Sequence, residues 1–240
     1  MEQRDKRLKN EIEHGRKIAG AAEEIWGWSG RIGALRWERR MKMLLGELKP
    51  GSRVLEVGCG TGLLTVEAVK TKARIFTLDV SYELLDLARK KKGAGKAAFS
   101  CASAYELGFR DGSFDYVIGM SVLHHLDMDK ALSEFSRVLK DGGRLIFSEP
   151  NMLNPHIFAE RFFFREYFHN SPDETAFVRF LLKRKMTQYG FREISIQPFD
   201  FLYPKIPARL AGIMDTLLRG VESIPVAREL AGSLFIRATK

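Results

Sequence analysis

The chain has 240 residues, with 39 lysines and arginines against 30 acids and a formal charge of +9. Its length makes one ordinary domain with small additions, and its cations are interleaved with acids, which argues against a nucleic-acid grip. No apolar run approaches the ~20 residues of a membrane helix, and the chain opens with charges rather than a signal core. The two cysteines give neither a disulfide framework nor a metal-ligand spacing. A cytosolic protein without stable membrane insertion and without a metal is expected.

Met1 to Lys49 is highly charged and then turns aromatic, and all three tryptophans, Trp26, Trp28 and Trp37, fall ahead of the first strand. Arg36 to Leu48 reads as a helix. The tryptophan segment either folds over a ligand mouth as a lid or packs that helix onto a sheet.

Arg53 to Asp79 organises the rest. Arg53 to Val57 reads as a strand and Gly58, Gly60 and Gly62 as a tight turn, and Leu63, Leu64, Val66, Ala68 and Val69 switch to helical spacing. The glycines let the backbone come within contact distance of a ligand, and the helix's first turn offers free N–H donors. Asp79 ends the next apolar run, where an acid can accept from two ribose hydroxyls. The dinucleotide fingerprint wants a third glycine where Leu63 stands, and no Lys-Ser or Lys-Thr follows as in a P-loop. Glu56, two residues before Gly58, would repel phosphates but suits an ammonium. A nucleoside with an amino-acid tail, S-adenosylmethionine, fits these features.

Ser81 is a natural N-cap for a helix carrying Leu84, Leu85, Leu87 and Ala88, with Arg89 to Lys92 at its end, and a third strand follows near Ala97 to Cys101. Asp111-Gly112-Ser113 is a turn before a fourth strand, Phe114 to Met120. Ser121 to Leu126 carries His124 and His125. Either one bonds backbone while the other is solvated, or His125, with His124 second, orients or deprotonates an acceptor. Asp127 caps a helix with Ala131, Leu132, Phe135, Val138 and Leu139 at core spacing, and Arg144 to Ser148 is a fifth strand. Glu149 and Asn151 then lie at the sheet's carboxyl edge, where open α/β folds bind ligands. Ile157 to Phe168 is dense in phenylalanine and reads as the roof of an apolar acceptor pocket. Ser171-Pro172-Asp173-Glu174 has the form of a capping box that starts a helix, ended by Gly190. Phe191 to Gln197 and Ser233 to Ala238 are the last strands. Residues 205–231 between them carry an amphipathic helix, a pocket cover or a dimer face, too sparse in arginine for a membrane-surface helix.

Glu56-Val57-Gly58-Cys59-Gly60-Thr61-Gly62, Asp79, Phe109 to Asp115, Leu123-His124-His125-Leu126 and Arg137 to Gly143 together resemble the class I, type 11-like S-adenosylmethionine-dependent methyltransferases. The resemblance covers Arg53 to Pro150. It implies a Rossmann-like, doubly wound, seven-stranded, mostly parallel sheet with the last strand antiparallel, in a single domain. Residues 1–49 would be its helical lid, 50–150 its cofactor core and 151–240 its acceptor side. It implies S-adenosylmethionine held by Glu56, Gly58, Cys59, Gly60, Thr61, Gly62, Asp79, Val80, Ser103, Ala104 and Met120, with S-adenosylhomocysteine as product. Ser103 departs from the family's acid and Gly108 from its proline, so adenine contact there rests on the Ala104 backbone and the Ser103 hydroxyl. Trp26, Trp28 and Arg31 resemble a pattern upstream of the first motif in some bacterial members, and with Asn151 they are assigned to the substrate or lid. The expected reaction is in-line transfer of a methyl group to a small, partly apolar acceptor. A nicotinamide oxidoreductase or a non-catalytic cofactor-binding module are the alternatives, and Glu56 and Leu63 argue against the first.

Overall fold

The computed structural model describes every residue except Met1, Ser29, Arg165, His169, Asn170, Pro204 and Lys205, with the backbone alone at 2–5. Three helices come first, α1 (Glu2–Ile18), α2 (Ala22–Ile25) and α3 (Gly30–Leu45). An alternating core follows: β1 (Arg53–Val57), α4 (Leu63–Lys70), β2 (Arg74–Asp79), α5 (Tyr82–Lys90), β3 (Ala98–Cys101), β4 (Phe114–Met120), α6 (Met128–Val138) and β5 (Leu139–Pro150). The last part is α7 (Pro155–Phe162), α8 (Arg179–Gln188), β6 (Arg192–Phe199), α9 (Ala211–Glu222), α10 (Pro225–Arg228) and β7 (Ser233–Thr239).

The strands form one sheet in the order β3-β2-β1-β4-β5-β7-β6, with β7 antiparallel to both neighbours and the other pairs parallel. Because strand side chains alternate faces, each central strand feeds two cores. Leu55, Val117, Leu145 and Phe147 pack with Leu132 and Phe135 of α6 and Leu182 of α8. Val54, Ile118 and Ile146 face the other way, onto Met41 and Leu44 of α3 and Leu64 and Ala68 of α4.

Capping fixes several helix starts. Ser81 Oγ accepts from Leu84 N, Asp127 Oδ1 from Asp129 N and Lys130 N, and Asn154 Oδ1 from His156 N and Ile157 N, with Pro155 at the first position of α7. The expected helix at Ser171 is corrected. Ser171 N does donate to Glu174 Oε2, 2.8 Å, as in a capping box, but α8 begins only at Arg179. Thr175 N is taken by the His124 carbonyl and Phe177 bridges to Asn151, so the segment runs extended against the β4 and β5 ends. No described helix is long and apolar enough to cross a membrane.

Candidate functional site

The glycine turn, the tip of β2 and the loop after β4 meet at the carboxyl edge of the sheet, where one cavity of about 720 Å³ opens. Gly58, Gly60 and Gly62 all have positive φ, 68°, 52° and 81°, a region L side chains rarely adopt. The ring of Trp26 closes over the turn so tightly that a Cβ at Gly60 would stand 2.8 Å from it. Thr61 Oγ1 donates to Glu23 Oε1, 2.9 Å, which Lys91 also binds. Asp79 accepts from Gly60 N and Ser81 N, 2.8 and 2.9 Å, while still lining the cavity, and burial raises its pKa.

Gly58, Cys59, Gly60, Thr61, Asp79, Val80, Ser103, Ala104, Met120, Trp26 and Trp28 all line this cavity. Ser121, which sequence reading passed over, lines it too, in a left-handed conformation at φ 53° that a non-glycine residue adopts only under strain. Four expected residues sit elsewhere: besides Glu56, Arg31 and Asn151, Gly62 is outside the lining, close enough to α5 that a Cβ on it would stand 2.9 Å from Ala88. Glu56 is fully buried beneath the turn and outside the lining, with Oε2 accepting from Thr65 and Oε1 without a hydrogen-bond partner among the described residues. Burial lifts its pKa to about 7. Arg31 is exposed, and the guanidiniums in the cavity wall are those of Arg36, Arg40 and Arg161. Asn151 is buried and committed to backbone, its amide donating to the Glu229 and Ala231 carbonyls and its Oδ1 accepting from Leu153 N. The lid or substrate role expected of Arg31 and Asn151 is corrected on those grounds.

Trp26 and Trp28 part company. Trp26 covers the glycine turn, whereas Trp28 stands edge-on to Trp37 at 5.5 Å, with Arg36 and Arg40 over its ring.

The two predicted histidines sit in an ionic web. His124 Nδ1 lies 2.6 Å from Glu149 Oε2, and Glu149 Oε1 accepts from Val122 N and Leu123 N, so this acid fixes the loop after β4. His124 Nε2 is 3.3 Å from Glu174, which Arg161 also binds. His125 Nδ1 lies 2.8 Å from Glu11 of α1, at an angle outside hydrogen-bond geometry. Burial alone would lower the His125 pKa, but the charges of Glu174 and Glu11 outweigh it and push it up to about 9. Burial likewise works against Glu174, yet His125, His124 and Arg161 hold its carboxyl well below the usual range. The carboxylates of Glu11 and Glu174 favour the imidazolium, a form that cannot take a proton, so this geometry speaks against the base role expected of His125 and for a contact tying α1 to the loop after β4. His124, His125 and Glu174 offer donor atoms within 4.8 Å of one another, a spacing a metal could use, but both Glu174 oxygens are already engaged by Arg161 and Ser171 N.

On the acceptor side the wall is made by Asn154, His156, Ile157, Glu160, Arg161 and Phe168, facing Phe201 and Tyr203. His156, Glu160 and Tyr203 carried no signal in the sequence, because the first two stand one helical turn apart in an aromatic run and the third lies over forty residues on.

Residues 55–147 match the methyltransferase domain family. That match spans the cofactor core, and the seven-stranded sheet around it has the class I methyltransferase fold. Over 128 residues it is 41% identical to the ubiquinone/menaquinone biosynthesis C-methyltransferase UbiE of Rhizobium johnstonii, covering 48% of this chain and 50% of that one. It is 34% identical over 154 residues to the O-methyltransferase rstn1 of Aspergillus nomiae, 60% and 66% of the two chains. A crystal structure of an S-adenosylmethionine-dependent methyltransferase from Thermotoga maritima superposes with a TM-score of 0.69 at 20% identity, covering 95% and 99% of the chains. The chain spans about half the length of the UbiE relative, and at 20% identity the structural likeness shows the fold alone.

Proposed function

We propose that this protein transfers the methyl group of S-adenosylmethionine to a small, partly apolar acceptor. One observation carries the reading: a single cavity runs from the glycine turn and Asp79 to the ring-lined wall of α7 and Tyr203, so a nucleoside donor and an acceptor share one space. The residues fit the donor. Asp79 has accepting capacity left for ribose hydroxyls, the Ser103–Ala104 corner suits adenine, and Glu56 sits beneath the turn with one oxygen unpartnered, where an approaching ammonium would favour its ionised form. The donor supplies an electrophilic methyl on a sulfonium. The chain's part is to hold the acceptor in line, exclude water with α1 and Trp26, and receive a proton where the acceptor must lose one. The relatives' names, quinone C-methylation and O-methylation, support a small-molecule acceptor. A match to methyltransferases in both sequence and fold disfavours the nicotinamide alternative.

Calorimetric titration with S-adenosylmethionine tests the donor site. Asp79→Ala and Glu56→Gln should each weaken binding by about tenfold or more, the worth of a charge-assisted contact of about 1.5 to 3 kcal/mol. Glu56→Gln should at the same time stabilise the ligand-free protein above pH 7. The carboxyl's raised pKa means that its ionisation costs stability as pH rises from 4.5 through about 7. Unchanged affinity in both variants would sink the assignment.

A further inference from the structure

Glu160, His156 and Tyr203 form a line of proton-bearing groups along the acceptor wall, apart from the His124–His125 web. Glu160 Oε1 lies 3.1 Å from His156 Nδ1, one helical turn away on α7. On the other side of the ring, His156 Nε2 is 3.1 Å from the Tyr203 hydroxyl. A carboxylate facing Nδ1 places the ring proton there, which leaves the Nε2 lone pair to accept from Tyr203. Three aromatic rings meet edge to face around this line: His156 stands 4.6 Å from Tyr203 at 67° and 5.6 Å from Phe168 at 76°. Such a wall takes a flat ring against it. Burial pushes the Glu160 carboxyl up to about 7, with Arg161 and Arg36 working against that and Glu174 for it.

The geometry points to Tyr203, with His156 behind it and Glu160 behind His156, as the proton relay that deprotonates an aromatic hydroxyl acceptor. This rests on the methyltransferase reading and names its acceptor class. As the acceptor oxygen bonds the methyl carbon, its proton passes to Tyr203 Oη. The Tyr203 proton passes to His156 Nε2, and the imidazolium so formed is held beside the Glu160 carboxylate. The donor sulfur keeps the electron pair of the broken S–C bond and leaves uncharged, so atoms and charge balance. Tyr203 is the catalytic residue here, and His156 and Glu160 are positioning residues.

The test needs no turnover. 4-Nitrophenol absorbs differently as phenol and as phenolate, and it is titrated into the S-adenosylhomocysteine complex at a pH where the free probe is neutral. The wild-type complex should bind it as the phenolate. Tyr203→Phe and His156→Gln should each lower the bound phenolate-to-phenol ratio by about tenfold, one unit of proton affinity, with S-adenosylhomocysteine affinity unchanged by calorimetry. Glu160→Gln should give a smaller drop, since it removes only the orienting carboxylate. If S-adenosylhomocysteine binds but the probe stays neutral, fails to bind, or remains phenolate in both variants, the relay is overturned and the methyltransferase reading stands. If S-adenosylhomocysteine itself does not bind, both fall.

Discussion

His125 and His156 line one cavity and differ in what faces them. His125 has Glu11 and Glu174 facing a half-buried ring, which favours its protonated form, whereas His156 has Glu160 on Nδ1 and the Tyr203 hydroxyl on Nε2. The sequence showed the first pair, because His124 and His125 follow the fourth strand directly, and it hid the second, because Tyr203 reaches His156 only through the fold. The charged state of His125 has a thermodynamic consequence. Its folded pKa of about 9 lies above the ordinary 6.5, so it adds stability below pH 6.5 that is lost as pH rises through 9. Melting curves of the wild type should therefore fall across that window, by about 1 to 3 kcal/mol, while His125→Gln should be flatter there and less stable at pH 6. Parallel pH profiles for the two proteins would mean that the imidazolium is absent.

At the scale of elements, the strand–turn–helix of residues 53–79 and the caps at Ser81 and Asp127 were legible, since each is written in adjacent residues: alternation, glycines, a side-chain oxygen before a helix. The Ser171 box misled because its glutamate had distant partners, Arg161 and His124, that outbid a local helix. Helix α1 was expected only as part of a helical lid over residues 1–49, for the opposite reason. Its sequence is mostly charged, and what holds it is spread over the chain: Asn10 donates to Asp173, Ser171 to Glu11, and Gly15 presses on Ser81 at the start of α5. That last contact makes the lid testable. A Cβ at Gly15 would stand 2.6 Å from Ser81 Cβ, so Gly15→Val should lift α1 from α5 and leave the sheet intact. Hydrogen exchange across residues 2–18 should rise by about tenfold in the variant, and S-adenosylhomocysteine should slow it strongly in the wild type and weakly in Gly15→Val. Equal protection of this helix in both proteins would show that it is not seated by that contact.

The seven mostly parallel strands with the last antiparallel were expected from the apolar runs and the family resemblance, but neither the strand order nor what ties the far edge to the N-terminal helices was, because no local pattern announces a partner over 150 residues away. Asp200, in a left-handed turn after β6, is that tie. Its carboxylate meets Arg36 and Arg40 of α3 at 2.9 and 2.7 Å, its backbone N–H donates to Glu222 of α9, and Arg40 continues to Ser233 at the start of β7. Burial opposes ionisation at both ends: it pulls the Arg40 pKa down to about 10, and would raise that of Asp200 were it not for Arg40 and Arg36, which hold it at about 2. A buried pair of this kind adds little over an apolar one, but losing one member strands a charge in the interior. Asp200→Asn should therefore cost about 3 to 5 kcal/mol in denaturant unfolding at pH 7. The difference from wild type should shrink as pH falls from 3.8 through 2, because a carboxyl with a depressed pKa contributes only while ionised. Replacing both Arg40 and Asp200 by leucine should recover much of the loss, since no unpaired charge then remains at that point. A double variant as unstable as Asp200→Asn would place the cost in the loss of the turn after β6 rather than in the stranded arginine.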